Sequence, residues 1–110
     1  MNEDPVRRRL SDLARIGAEA AYLVGKGHAA DLADTIEGAL LRNAGEQVLI
    51  RAATVAEKFP ADFKAQHAEV DWTGAKRLLD LVADSDSLND DRFWTALTIR
   101  IPRLVTDLGL

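Results

Sequence analysis

The densest group of potential metal ligands is a set of carboxylates in the last third of the chain. Such a group suggests a divalent-cation site, because hard cations require several oxygen ligands together. The spacing does not match a calcium-binding loop, since no glycine stands at its sixth position and Thr95 replaces the bidentate acid. We therefore interpret the group as a solvated turn that caps a helix, and we expect no metal and no cofactor. Its members are Asp84, Asp86, Asn89, Asp90 and Asp91.

Histidine and nucleophile patterns give no catalytic site. His28 and His67 both fall in predicted connections, without a second histidine at ligand spacing, and we interpret them as surface residues. The chain has no cysteine, and no glycine pattern matches a phosphate-binding loop. The serines have no histidine near them in the sequence, so a Ser–His arrangement has no support. These serines are Ser11, Ser85 and Ser87.

Charge and composition favour a single soluble domain over residues 1–110. Hydrophobic residues make up 47% and charged residues 29% of the chain, a globular composition, and no run reaches membrane-spanning length. We expect a cytoplasmic protein. The net charge is −4, so binding of nucleic acid would need a local basic patch. The only dense basic group is interpreted as the solvated face of a first helix. It consists of Arg7, Arg8, Arg9 and Arg15.

Helical periodicity dominates the first half of the sequence. The pattern predicts a first helix that begins after Pro5 and ends within residues 25–27, where a glycine can close it, followed by a short link from His28 to Asp31. A long second helix, capped by Asp31 or Asp34, is predicted to reach Phe59 and to end before Pro60. Its two glycines, Gly38 and Gly45, indicate either close contacts between helices or a point where the helix divides.

The second half continues the helical pattern. A polar connection over residues 61–70 includes one predicted helical turn at 62–66, and Asp71 then caps a helix that begins at Trp72 or Thr73. A last helix, capped by Asn89 or Asp90, should be kinked or broken by Pro102. Together these elements predict an all-α protein, an up-and-down four-helix bundle. The predicted buried side of the last helix comprises Trp94, Leu97, Ile101, Leu104 or Val105, and Leu108.

The apolar stripes of the first and last helices are wide for a lone small bundle. Apolar surface of this extent is typical of an interface, so we expect a homodimer or a partner-binding surface. The aromatic residues are interpreted as core or interface anchors, since interleaved Lys and Arg, which a platform for bases requires, are nearly absent around them. They are Phe59, Phe63, Trp72, Phe93 and Trp94.

The order of features in the second half resembles the HepT-like proteins of the HEPN superfamily. The matching segments are 55–60, Phe63, 70–72, 82–83, 89–94, 101–104 and 108–110. The resemblance implies a helical bundle that dimerises, encoded in a bacterial toxin–antitoxin operon with a minimal nucleotidyltransferase as antitoxin. Active members are metal-independent ribonucleases whose motif combines an arginine, a polar residue, a histidine and a tyrosine that the partner modifies with AMP.

This sequence departs from that motif at every position. Carried over by spacing from Trp72, the arginine position holds Leu79 and the polar position holds Asp80, while Asp84 and Asp86 replace the histidine and the tyrosine. Cleavage of RNA needs a group that transfers protons near neutral pH and a cation that faces the phosphate. Aspartate has a reference pKa of about 3.9, and several aspartates would repel the phosphate.

Two functional hypotheses follow from the altered motif. The first is a catalytically inactive HepT-like protein that acts through dimerisation or through binding of a nucleotidyltransferase, with little capacity to bind RNA. The second is an active ribonuclease toxin that uses other residues, such as Arg77 together with His67. A helical interaction protein unrelated to the HEPN superfamily is a third interpretation.

Overall fold

The computed structural model describes residues 4–83 and 91–110, and these residues are helical throughout with short connections. They contain no strand, so the all-α prediction is confirmed for the part of the chain described. The order is α1 (Pro5–Gly25), α2 (His28–Leu32), α3 (Ile36–Glu57), α4 (Ala61–Gln66), α5 (Trp72–Lys76), α6 (Leu78–Ala83), α7 (Asp91–Thr95), a π-helical turn (Ala96–Arg100) and α8 (Ile101–Asp107).

Helix α1 begins at Pro5, one residue before the predicted start, and ends within the predicted segment 25–27. The Asp4 side chain accepts a hydrogen bond of 3.0 Å from the Val6 amide, and Pro5 occupies the first turn, where its missing N–H costs nothing. The helix closes at Gly25, and Gly27 follows with φ of +93°, a conformation that suits glycine. Three side chains of α1 are fully buried, namely Leu13, Ile16 and Ala20.

The link after α1 and the start of the next long helix differ from the prediction. Residues His28–Leu32 form the short helix α2 rather than an irregular link. Helix α3 then begins at Ile36, because the Thr35 hydroxyl accepts a 3.0 Å hydrogen bond from the Gly38 amide. Thr35 is therefore the N-cap, and neither Asp31 nor Asp34 has that role.

Helix α3 is continuous through both of its glycines and ends at Glu57, two residues before the predicted end. A Cβ atom at Gly45 would lie 2.9 Å from Phe93 and 3.2 Å from Leu97, both fully buried. At Gly38 it would lie 2.1 Å from the carbonyl oxygen of Ala33. Both glycines thus mark close contacts with other segments, and the alternative of a divided helix is wrong.

The helix predicted from Trp72 is divided into α5 and α6. The division lies at Arg77, whose carbonyl accepts a 3.0 Å hydrogen bond from the Asp80 amide three residues later. An i to i+3 bond of this kind is tighter than the α-helical pattern and interrupts it. The capping by Asp71 is confirmed.

The last helical segment changes from π-helical to α-helical just before Pro102. The π turn over residues 96–100 precedes α8, in which Pro102 lies in the first turn and needs no amide donor. Leu97, Ile101 and Leu104 are buried as predicted. Trp94, predicted to be buried, is only half-buried, because its ring lies against His28 at the molecular surface.

Helix α3 lies at the centre of the packing. It contacts α1, α2, α5, α6 and the π turn, while α8 packs against α1, where Val105 lies over Gly17. No helix in the described ranges is both long enough and apolar enough to cross a membrane. The largest fully buried side chains are Leu13, Val48, Leu49, Leu78, Phe93, Leu97 and Ile101.

Substitution of Gly45 should test this packing. We expect Gly45→Val to lower the free energy of unfolding by about 1–3 kcal/mol, because the added atoms press against rigid, buried rings and side chains. Gly25→Val is the matched control, since a Cβ there meets nothing within 4 Å; its effect should remain within about 0.5 kcal/mol. Urea denaturation followed by circular dichroism measures both, and equal effects would contradict the packing at Gly45.

Candidate functional site

The segment from Asp71 to Ala83 holds the first two motif positions and is built on a helix cap. The Asp71 carboxylate accepts a 2.8 Å hydrogen bond from the Gly74 amide. A Cβ at Gly74 would lie 2.1 Å from the same carboxylate, so glycine is required for the cap to close in this way. The indole Nε1 of Trp72 donates a 3.0 Å hydrogen bond to the carbonyl oxygen of His67, which fixes α5 to the preceding turn.

Leu79 and Asp80 occupy different environments in α6. Leu79 is half-buried and packs against the hydrophobic core, whereas Asp80 is exposed to solvent. The position that would carry a cation facing a phosphate therefore contributes to the core instead. Asp84 and Asp86, at the histidine and tyrosine positions, lie outside the described residues.

His67 belongs to an aromatic cluster beside this segment. Its ring stacks on Phe63 with centroids 4.3 Å apart, and Phe63 stacks on Phe59 at 4.8 Å. His67 Nδ1 lies 3.4 Å from the carboxylate of Glu69, and the ring of Trp72 lies 5.5 Å from that of Phe59. These contacts hold the imidazole against aromatic faces. Packing of this kind is a structural role for His67 and requires no catalytic one.

The other histidine is also held by an aromatic ring. His28 stacks on Trp94 with centroids 4.7 Å apart and planes only 9° from parallel. Both histidines are half-buried, so the prediction of ordinary surface histidines missed their aromatic partners. Within the described ranges, no three His, Cys, Asp or Glu side chains come together in a way that could hold a metal ion.

The alternative catalytic pair is not assembled in this structure. Arg77 is exposed at the junction of α5 and α6. None of the contacts that the structure gives His67 involves Arg77: its ring meets Phe63 and Glu69, and its carbonyl accepts from Trp72. General acid–base catalysis requires the proton-transfer group and the cation to converge on one phosphate, which these contacts do not provide.

A pocket of about 210 Å³ lies between α5 and the last helical segment. Arg100 enters it and donates a hydrogen bond to the carbonyl oxygen of Gly74. Two guanidinium groups and two carboxylates line the pocket, so their formal charges cancel. Its walls are Asp71, Gly74, Ala75, Leu78, Arg100, Arg103, Leu104 and Asp107.

The sequence interpretation did not identify this pocket. Its only signal in the sequence is the spacing of Arg100 and Arg103, three residues apart and therefore on one helix face. The residues opposite them lie 26 positions earlier in the chain, as the hydrogen bond between Arg100 and Gly74 shows. Tertiary packing of α5 against the last helical segment brings these groups together.

A second depression, which we call the α1–α3 groove, has a volume of about 450 Å³. Its apolar floor is bordered by charged side chains, among them Arg15 of the basic group. At one end Arg51 forms a 2.5 Å ion pair with Glu19, which links the two helices. The groove is lined by Asp12, Arg15, Ile16, Ile50, Arg51, Thr54 and Val55.

The remaining arginines of the basic group lie at the start of α1. Arg7 and Arg8 are exposed, and Arg9 is half-buried with its guanidinium donating a 3.1 Å hydrogen bond to the Pro5 carbonyl. This placement agrees with a solvated helix face.

Comparisons of the chain with models of protein families, with curated proteins and with solved structures found no match. The functional conclusions below therefore depend on the residues and on the geometry described above.

The cap at Asp71 can be tested directly. Asp71→Ala should lower the free energy of unfolding by about 0.5–2 kcal/mol, because the Gly74 amide loses its acceptor at the start of α5. Asp80→Ala, a matched change at an exposed position in the same segment, should alter it by no more than about 0.5 kcal/mol. Denaturant titration of both variants is the measurement; a neutral Asp71→Ala would show that the cap does not stabilise the segment.

Proposed function

We propose that this protein is a catalytically inactive HepT-like member of the HEPN superfamily that acts by binding other proteins. The observation that carries the proposal is the position of Leu79. A ribonuclease of this superfamily would hold its arginine there, and here the side chain packs against the core next to an exposed Asp80.

The architecture supports the proposal at the level of its helices. Four helical segments follow one another in the chain order that the resemblance requires. They are α1, α3, the α5–α6 segment and the segment from α7 to α8. Short α2 and α4 lie in the connections. We propose that these four segments correspond to the up-and-down four-helix bundle of the superfamily.

The environment of His67 also favours a role without catalysis. A ribonuclease without a metal needs a proton-transfer group free to reach the 2′-hydroxyl and a cation free to face the phosphate. The His67 ring is engaged with Phe63 and Glu69. These contacts do not include Arg77, the cation of the alternative site. They therefore do not place a proton-transfer group and a cation together at one substrate phosphate.

The proposed binding partners are a second copy of the chain and a minimal nucleotidyltransferase. The proposed setting is a bacterial cytoplasm, in which the protein belongs to a toxin–antitoxin system without itself cutting RNA. A net charge of −4 agrees with protein partners rather than RNA, because RNA binding depends on neutralisation of phosphates.

The proposal predicts that the purified protein leaves single-stranded RNA intact and that its expression alone does not arrest bacterial growth. The physical reason is that leucine and aspartates stand at the motif positions, where cleavage would need an arginine and a histidine. Gel analysis of RNA after incubation, together with growth curves, measures both.

The ribonuclease alternative predicts the opposite result. His67→Ala and Arg77→Ala should then abolish cleavage, while Asp80→Ala, at an exposed position of the same region, should retain it. Reproducible cleavage with this pattern would replace the binding role with an enzymatic one.

A further inference from the structure

The outer side of α3 carries a regular stripe of six residues, of which the first four are exposed and the last two are half-buried beside α1. Residues along this side recur in alternating steps of four and three, the spacing by which one helix packs along another. We call this set the outer stripe. It consists of Ile36, Leu40, Asn43, Gln47, Ile50 and Thr54.

The two ends of the outer stripe differ in shape. At its start, Ile36 and Leu40 project from the surface with 83% and 62% of their area exposed, although both are large apolar residues. At its end, Ile50 and Thr54 are half-buried and form part of the α1–α3 groove. One end of the stripe therefore presents protrusions, and the other presents a depression of about 450 Å³.

These two ends are arranged symmetrically about the middle of the stripe. Ile36 and Thr54 lie nine residues before and after position 45. Leu40 and Ile50 lie five residues before and after it. When two copies of α3 pack antiparallel about this point, each Leu40 meets the Ile50 of the second copy. Each Ile36 then enters the α1–α3 groove. A self-complementary patch of this kind is what a two-fold symmetric dimer requires.

We propose that the protein forms a homodimer in which two copies of α3 pack antiparallel through the outer stripe. The proposal rests on the binding role argued above and identifies the surface and the partner. A parallel arrangement would place Ile36 against Ile36 and leave both grooves empty, so shape favours the antiparallel one.

Polar and charged residues agree with this register. Asn43 and Gln47 stand at the centre, where each faces the other across the two-fold axis, and polar residues inside a helical seam fix its register. Glu37, an exposed acid next to Ile36, lies on the same flank of the outer stripe as Arg51. In the antiparallel register it falls near Arg51 of the second copy, at the border of the α1–α3 groove, so opposite charges meet there.

The length of the stripe suits a stable contact. From Ile36 to Thr54 it extends about 27 Å along the helix. The longest dimension of the molecule is 46 Å, so the contact would run along more than half of it. Other exposed large apolar side chains, such as Ile99 with 52% of its area exposed, lie on other elements and serve as controls.

The first experiment is sedimentation equilibrium of the full chain and of Leu40→Glu. The unaltered protein should be a dimer, and Leu40→Glu should raise the dimer dissociation constant by about a hundredfold or more, because each dimer carries the buried charge twice. Ile99→Glu, an equivalent change outside the stripe, should leave the constant unchanged. Circular dichroism checks that both variants keep their helix content; a monomer at every concentration, or equal effects of both variants, overturns the proposal.

The second experiment tests the antiparallel register with introduced thiols, which is possible because the chain has no cysteine. A mixture of the Ile36→Cys and Thr54→Cys chains should form a disulfide between the two under mild oxidation. Each variant alone should not form one, since identical positions lie about 27 Å apart in the antiparallel arrangement. Disulfides within either variant alone would show parallel packing and overturn the register.

The outcomes separate this inference from the proposed function. Cleavage of RNA by a dimer that depends on Leu40 would refute the inactive role and retain the interface. An inactive protein whose dimer is insensitive to Leu40→Glu would retain the role and refute the interface.

Discussion

Close packing against the inner side of α3 is the constraint on which the rest of the structure depends. Gly45 lets Phe93 and Leu97 approach the helix backbone, and the small residues Ala52 and Ala56 continue the same side with 2% or less of their area exposed. Side chains of this size allow neighbouring helices to approach closely, which raises packing density in a chain of only 110 residues. Because α1, α2, α5, α6 and the π turn all pack against α3, its outer side is the part that the described residues leave for another molecule.

The sequence predicts a helix end well where one proline or glycine determines it. Pro5 and the glycine segment 25–27 bound α1 as predicted to within one residue, since proline and left-handed Gly27 act on the backbone of their own helix. The start of α3 was missed because Thr35 competes with nearby aspartates that have similar capping strength. Neither glycine nor proline stands at Arg77, so nothing in the sequence indicates that the helix divides there.

Prediction of the candidate site shows the same limit. The loss of the arginine at position 79 is readable in the sequence, and the structure adds that Leu79 packs against the core. The pocket around Arg100 and the aromatic contacts of His28 and His67 depend on residues brought together by tertiary packing. Periodicity identifies which face of a helix is buried, but it does not identify the residue that meets that face.

The apolar stripes of the first and last helices, which suggested an interface, have a partner within the chain. Val105 of α8 lies over Gly17 of α1, so at least part of that surface is used to hold the two ends of the chain together. The exposed apolar residues that call for another explanation are Ile36 and Leu40, on a helix whose stability comes from its opposite side. Because both side chains remain mostly exposed, substitutions there should have little effect on folding. Large apolar side chains at these positions, in register with a groove on the same face, are therefore better explained by association than by folding.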